Sequence, residues 1–260
     1  MSTPNPYAAP KAPVADAAGP QQGDFIPGGR GVPAANGWSW IVEGWNLFMR
    51  QPGMWIGMIV ALAVLFIVLA MIPFLGSLAL MITFPAFTAG LMIGCRALAE
   101  GSPLEFGHLF AGFRERFGTL AAVGAIYLGV SLAIALLVGL ITGASMFAMM
   151  SGSGGDPAAT AGALASMALA LLVMMALMIP VAMAVWFAAP LVVFHGRGAL
   201  EAMKESFSGC LKNIVAFLLY GVILLVAVIV ASIPMGLGWL VLGPVMAASV
   251  YTAYRNIYFT

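Results

Sequence analysis

Residues 54–73 read MWIGMIVALAVLFIVLAMIP, a run without a single charge. At a rise of about 1.5 Å per residue, a helix of this length is about 30 Å long, which matches the hydrocarbon core of a bilayer. Runs of this kind recur along the chain. They do not alternate apolar and polar positions, so they are not strands of a membrane barrel. Composition agrees: 63% of the 260 residues are hydrophobic and 7% are charged, with a mean hydropathy of +1.07. A soluble domain carries roughly 25% charged residues. The fold class expected is an all-α integral membrane protein. The net charge of +1 comes with no basic stripe interleaved with aromatics, so nucleic acid is not an expected partner.

Six spans are expected, at about Met54–Pro73, Leu78–Leu98, Leu120–Met150, Ala159–Phe194, Ile214–Ile233 and Leu237–Tyr258. Lys and Arg fall before the first, third and fifth spans, at the exit of the second, or near the termini. The alternate connections, 74–77, 151–157 and 234–236, have none. Positive charge stays on the cytoplasmic side. This predicts a multi-pass protein of the bacterial inner membrane with both termini cytoplasmic. Spans three and four are too long for the hydrocarbon layer: about 32 residues make ~48 Å of helix. They are expected to protrude outward as a hairpin around MSGSGGDPAA at 150–159, with a kink at Pro180. Residues 1–36 are rich in Pro, Ala and Gly and poor in large aliphatics. They are expected to be a disordered cytoplasmic tail, with no apolar core of a secretory signal, ahead of a membrane domain at 37–260.

Three amphipathic segments precede the odd-numbered spans. In WSWIVEGWNLFMR, Trp38, Ile41, Trp45 and Phe48 form one stripe, while Ser39, Glu43, Asn46 and Arg50 form another. In SPLEFGHLFAGFRERF, Phe106, Leu109, Phe110, Phe113 and Phe117 share a face, and Ser102 with Glu105 has the spacing of a capping box around Pro103. In GALEAMKESFSGCLK, Leu200, Met203, Phe207 and Leu211 oppose Glu201, Lys204, Glu205 and Ser208. Aromatic and basic residues in this arrangement suit helices lying among lipid headgroups. The chain thus reads as three units, each an interfacial helix followed by a two-span hairpin: about 38–98, 103–194 and 199–258.

A repeat supports that division. FPAFTAGLMIGCR at 84–96 and GPVMAASVYTAYR at 243–255 place Pro85 and Arg96 at the same separation as Pro244 and Arg255, with Ala89 matching Ala248. The middle unit departs, with Leu191 where an arginine would fall after Pro180. An arginine eleven residues past a mid-depth proline lies about 16 Å further along the helix, at the interface. Arg96 and Arg255 therefore read as headgroup anchors, together with Arg50, Arg114, Arg116, Lys204 and Lys212, and the expected partner is anionic lipid. The sequence specifies neither a protein partner nor an oligomeric state.

Catalytic and metal chemistry is sought without result. Between Phe117 and His195 the only charge is Asp156, and His108 and His195 lack metalloprotease spacing. Cys95 and Cys210 stand alone, and Met174, Met175, Met178 and Met183 share their stretch with no Cys or His; both groups read as packing residues. SGSGG at 151–155 lacks the lysine of a phosphate loop. No enzyme, cofactor or metal is expected.

GWNLFMRQPGMW, FPAFTAGLMIGCRALAEG and LFAGFRERFGTL resemble a proteobacterial family of uncharacterised inner-membrane proteins across about residues 37–258. The three-unit plan, with ALEAMKESF before a late hairpin, is also similar to the membrane domain attached to some glycerophosphodiester phosphodiesterases. Both resemblances imply architecture, and no catalytic residue is carried over from either. The function expected is structural or lipid-associated, in the envelope; the alternative is a transporter or channel for an apolar or lipid-like solute.

Overall fold

The computed structural model describes residues 23–150 and 157–260. The described residues are helical, in the order α1 (Asn36–Arg50), α2 (Pro52–Ala70), α3 (Leu75–Ala99), a 3-10 turn (Phe106–Phe110), α4 (Ala111–Glu115), α5 (Phe117–Met150), α6 (Pro157–Trp186), α7 (Ala188–His195), α8 (Ala199–Lys212), α9 (Ile214–Ser232) and α10 (Trp239–Tyr258). Five stretches are long and apolar enough to cross a membrane: Pro52–Ala70, Leu75–Ala99, Phe117–Gly143, Thr160–His195 and Ile214–Ser232. The outer turn expected at 151–156 lies outside the described residues, as do residues 1–22 of the expected tail.

The helix expected as a sixth span, α10, is not among these five stretches. It has the length, but its last two turns read TAYRNIY and most of it is buried inside the protein. It is the axis of the polar end. Tyr251, Tyr254 and Tyr258 line one side of it and meet Phe187 and Phe194 of the α6–α7 region edge-on or tilted. Buried residues concentrate here, on α1, α3, α7, α8 and α10. The outward faces of α2, α5, α6 and α9 carry exposed Leu, Ile and Val, as lipid-facing helices do.

α1 lies against α10 because small residues let it. Gly44 is buried against α10 and Gly37 against α9, and Trp40, Leu47 and Phe48 are buried with them. A Cβ on Gly44 would stand 2.7 Å from the Ser249 nitrogen and 2.9 Å from the Val245 carbonyl. The contact is closed by polar bonds. The Thr252 hydroxyl sits 2.9 Å from the Trp40 carbonyl, and Ser249 Oγ pairs with Tyr220 Oη of α9 at 2.7 Å. Both are interhelical bonds of the kind that joins helices where no hydrophobic drive exists. Of the expected aromatic stripe of α1, Trp38 and Trp45 are exposed while Phe48 is buried against the protein. α8 behaves alike, burying Ala202, Ser206, Gly209 and Cys210 along with Met203, while Leu200 and Leu211 stay exposed.

The second amphipathic segment starts later than its capping-box spacing predicts. Residues 102–105 are not helical, because Leu104 is drawn into the core and its amide donates to Gln51 Oε1 at 2.6 Å. The cap is formed instead by Glu105, whose amide donates to His108 Nδ1 at 3.0 Å. A break in the fourth expected span falls after Pro180. α6 runs through Pro180 and is interrupted at Phe187. There the Ser206 hydroxyl of α8 inserts into the helical ladder: it donates to the Met183 carbonyl at 2.6 Å and accepts from the Phe187 amide at 2.9 Å. Those two groups would otherwise bond each other, four residues apart. Pro190 removes a further donor, so the helix restarts as α7.

Overpacking the α1–α10 contact costs about 1–3 kcal/mol in typical cores. Gly44→Val is expected to lower the melting temperature in detergent and the membrane abundance. Gly139→Val, where an added Cβ meets nothing within 4 Å, should stay near the parent. Equal melting temperatures for the two variants would refute the close-approach account.

Candidate functional site

Two asparagines organise the polar end. Asn213, at the α8–α9 junction, is 2% exposed. Its Oδ1 accepts from the Val32 amide at 2.7 Å, and its Nδ2 donates to the carbonyls of Arg30 and Gly209, each at 2.8 Å. Asn256, on the last turn of α10, accepts through Oδ1 from Asn36 Nδ2 at 2.6 Å and from Trp40 Nε1 at 3.1 Å. Between them runs a strap, residues 23–35, in the region that composition assigns to a disordered tail. The Ile26 and Arg30 amides donate to the carbonyls of Tyr258 and Ile257. Lys212 Nζ donates to the Gly28 and Gly29 carbonyls at 3.0 and 2.7 Å. Phe25 stacks on His195, ring centroids 3.6 Å apart, and His195 Nε2 lies 2.5 Å from Tyr254 Oη. Residues 23–35 are thus part of the fold, through backbone bonds that no composition rule can see.

Strap, α1 and α10 enclose a polar recess of about 520 Å³ that includes Arg30, Glu43, Asn46, Arg50, Arg255 and Asn256 in its lining. Arg30 Nε donates to the Asn256 carbonyl at 3.1 Å, and Arg50 Nη1 donates to the Leu98 carbonyl. Partial desolvation raises the Glu43 carboxyl above the usual carboxylate range, with Arg255 opposing the shift.

The structure thus brings together two of the expected anchors, Arg50 and Arg255, and adds Arg30. It does not bring Arg96 to them. Arg96 bonds Glu100 at 2.8 Å and lies over the Phe194 ring, 5.2 Å from its centroid. Lys212 holds the strap. Arg114, Arg116 and Lys204 are exposed on the surface. On the far side of α8, Arg197 pairs with Glu201 at 2.8 Å and Glu205 at 3.0 Å. Burial raises the Glu205 carboxyl more than Arg197 lowers it. Burial also pushes the Cys210 thiol up to about 12, against a smaller opposing hydrogen bond from Ser206, so it holds its proton and is no nucleophile. Among the described residues, no group of three His, Cys, Asp or Glu is placed to hold a metal.

Arg30, Asn213 and Asn256 were missed in reading the sequence. The available signal was slight: an asparagine after Lys212, another inside the aromatic stretch YRNIY, and a glycine-flanked arginine.

A second recess, of about 610 Å³, lies between α3, α5, α6, α7 and α10. Its wall is apolar apart from Thr88, Tyr127 and the Trp186 indole. Three of its helices have a disturbed hydrogen-bond ladder close by: α3 and α10 carry Pro85 and Pro244 inside them, and α6 ends at the Ser206 insertion. Without an amide hydrogen on Pro85 and Pro190, the Met81 and Trp186 carbonyls lose their usual donors four residues on. Both residues line the recess.

The class defined by this architecture is an all-helical membrane protein with several apolar helices. The chain belongs to the family described as a domain of unknown function, DUF7847, whose model matches residues 44–257. A probable inner membrane protein of Burkholderia thailandensis is 28% identical over 199 residues, covering 74% of this chain and 73% of that protein. No solved structure matches the chain.

Replacing Asn256 by leucine would leave the Trp40 indole N–H buried without its acceptor, which costs roughly 1–3 kcal/mol. Asn256→Leu is therefore expected to loosen the strap, seen as faster limited proteolysis between residues 23 and 35 in detergent. Unchanged cleavage would show that the strap holds without this node.

Proposed function

We propose that the chain is a six-span protein of the bacterial inner membrane with a lipid-associated, structural role in the envelope and no enzymatic one. In this reading the spans pair as hairpins α2–α3, α5 with α6–α7, and α9–α10. α10 is the sixth crossing, its polar end shielded by protein. Both termini face the cytoplasm. α1 and α8 lie among headgroups, beside Lys204, Arg114 and Arg116, which contact anionic lipid; exposed Trp38 and Trp45 on α1 and Leu200 and Leu211 on α8 support this.

The observation that carries the reading is the apolar recess. A volume of about 610 Å³ falls inside the range of small-molecule sites, about 300–1,000 Å³, and its wall suits a lipid chain. The prolines inside α3 and α10 favour the alternative, a transporter or channel for an apolar or lipid-like solute. Proline-interrupted segments at corresponding positions of a repeat are where secondary transporters hold their substrates. Flux separates the two readings. A protein that only holds lipid leaves labelled-lipid exchange between leaflets of proteoliposomes at the protein-free rate; a transporter raises it.

Ala247→Trp fills the recess from α10. It is expected to reduce co-purified lipid several-fold in native mass spectrometry, whereas Leu136→Trp, on an exposed face of α5, should not. Equal lipid content in both variants would sink the recess as the lipid's seat. Both native cysteines are buried, so orientation is testable with introduced ones. Cysteine at Met235, in the α9–α10 turn, should react with an impermeant maleimide on intact spheroplasts. Cysteine at Lys204 should react only after lysis. The reverse pattern would overturn the orientation.

A further inference from the structure

We infer that the Arg30–Arg50–Arg255 recess is a binding site for a phosphate-type anion, the phosphate of an anionic lipid headgroup or a free phosphate. The inference is independent of the apolar recess, which lies on a different side of α10. It rests first on unused donors. A guanidinium carries five N–H groups in a planar fork. Arg30 and Arg50 each spend one on a backbone carbonyl. Arg255 makes no ion pair within 4.0 Å among the described residues. Glu43, the one carboxylate side chain in the lining, also forms none within that distance and acts on Arg255 only at longer range. Three guanidinium charges against one carboxylate leave the lining positive, and a carboxylate at Thr260 would not reverse the sign.

Rigid placement is the second support. The Arg30 backbone is held by Ile257 and Asn213 and its guanidinium by the Asn256 carbonyl; the Arg50 guanidinium is held by the end of α3, and Arg255 springs from a buried stretch of α10. Guanidinium forks held in this way favour bidentate recognition of phosphate oxygens. Asn46 and Asn256 add neutral polar groups to the same wall. The remaining cations are already committed or lie elsewhere: Arg96 to Glu100, Arg197 to Glu201 and Glu205, and Lys212 to the strap carbonyls. The convergence is therefore local to this recess and is not a general basic surface.

The test uses the full chain in detergent and in nanodiscs. Inorganic phosphate is titrated against melting temperature, and phosphatidylglycerol retention is compared with phosphatidylcholine by native mass spectrometry. Losing one charge-assisted contact should weaken binding about tenfold or more in Arg255→Gln. Arg255→Lys should recover only part of it, because an ammonium does not reproduce the fork. Glu43→Gln should strengthen binding, a gain that misfolding cannot produce. Arg114→Gln, away from the recess, should match the parent. A phosphate response assigns the site to a soluble anion; phosphatidylglycerol selectivity without one assigns it to lipid. Absence of both responses in the parent overturns the site. So does an Arg114→Gln loss equal to that of Arg255→Gln, or a Glu43→Gln variant that binds no better than the parent. Because the Ala247→Trp result reads a different recess, its failure leaves this inference standing.

Discussion

The close approach of α1 to α10 is the constraint on which the polar end depends. Gly44 brings the two backbones together, and this sets Trp40 where its indole reaches Asn256 and its carbonyl reaches Thr252. Asn256 then presents its own carbonyl to Arg30, which anchors the strap. The strap in turn covers the α8–α9 junction through Asn213. Each step uses the previous one as its template. The apolar surface on α2, α5, α6 and α9 supplies none of this order, because lipid solvates those faces as well as protein would.

That difference explains what could be read from the residues and what could not. Uncharged runs such as 54–73 mark apolar helices because length and hydropathy alone decide whether a helix can cross a bilayer. The Pro85 and Pro244 motif lands inside two helices, α3 and α10. The packed faces of α1 and α8 were not legible. The periodicity of large apolar residues picks out Trp38, Trp45, Leu200 and Leu211, which stay exposed. The packed faces are built from Gly37, Gly44, Ala202, Ser206 and Gly209, residues with almost no hydrophobic signal. The strap was illegible for a related reason. Its stability comes from backbone amides and carbonyls, which every residue has.

The α6–α7 interruption shows how a hydroxyl can act as a backbone substitute. Ser206 takes the place of both partners in one helical hydrogen bond, so no polar group at Met183 or Phe187 goes unpaired. A chain in an apolar setting can tolerate a break only on such terms. Leu191, standing where the repeat would place an arginine, belongs to the helix restarted by this break. The departure from the Pro–Arg spacing thus falls where the backbone is rerouted.

The same logic separates the two arginines that the repeat made equivalent. Arg96 has a carboxylate one helical turn on, at Glu100, and an aromatic ring beneath it; its charge is met inside the protein. Arg255 is followed one turn later by Phe259, and its nearest carboxylate influence comes from Glu43 on another helix. Equivalent placement along two helices therefore produced unequal electrostatics, because only the α10 arginine faces α1 and the strap. An arginine whose partner is supplied by its own helix is an anchor that completes itself. One whose surroundings add two further guanidinium groups and a single carboxylate side chain keeps a net positive local charge. The repeat supplied the position, and the tertiary contact with α1 gave that position a different use.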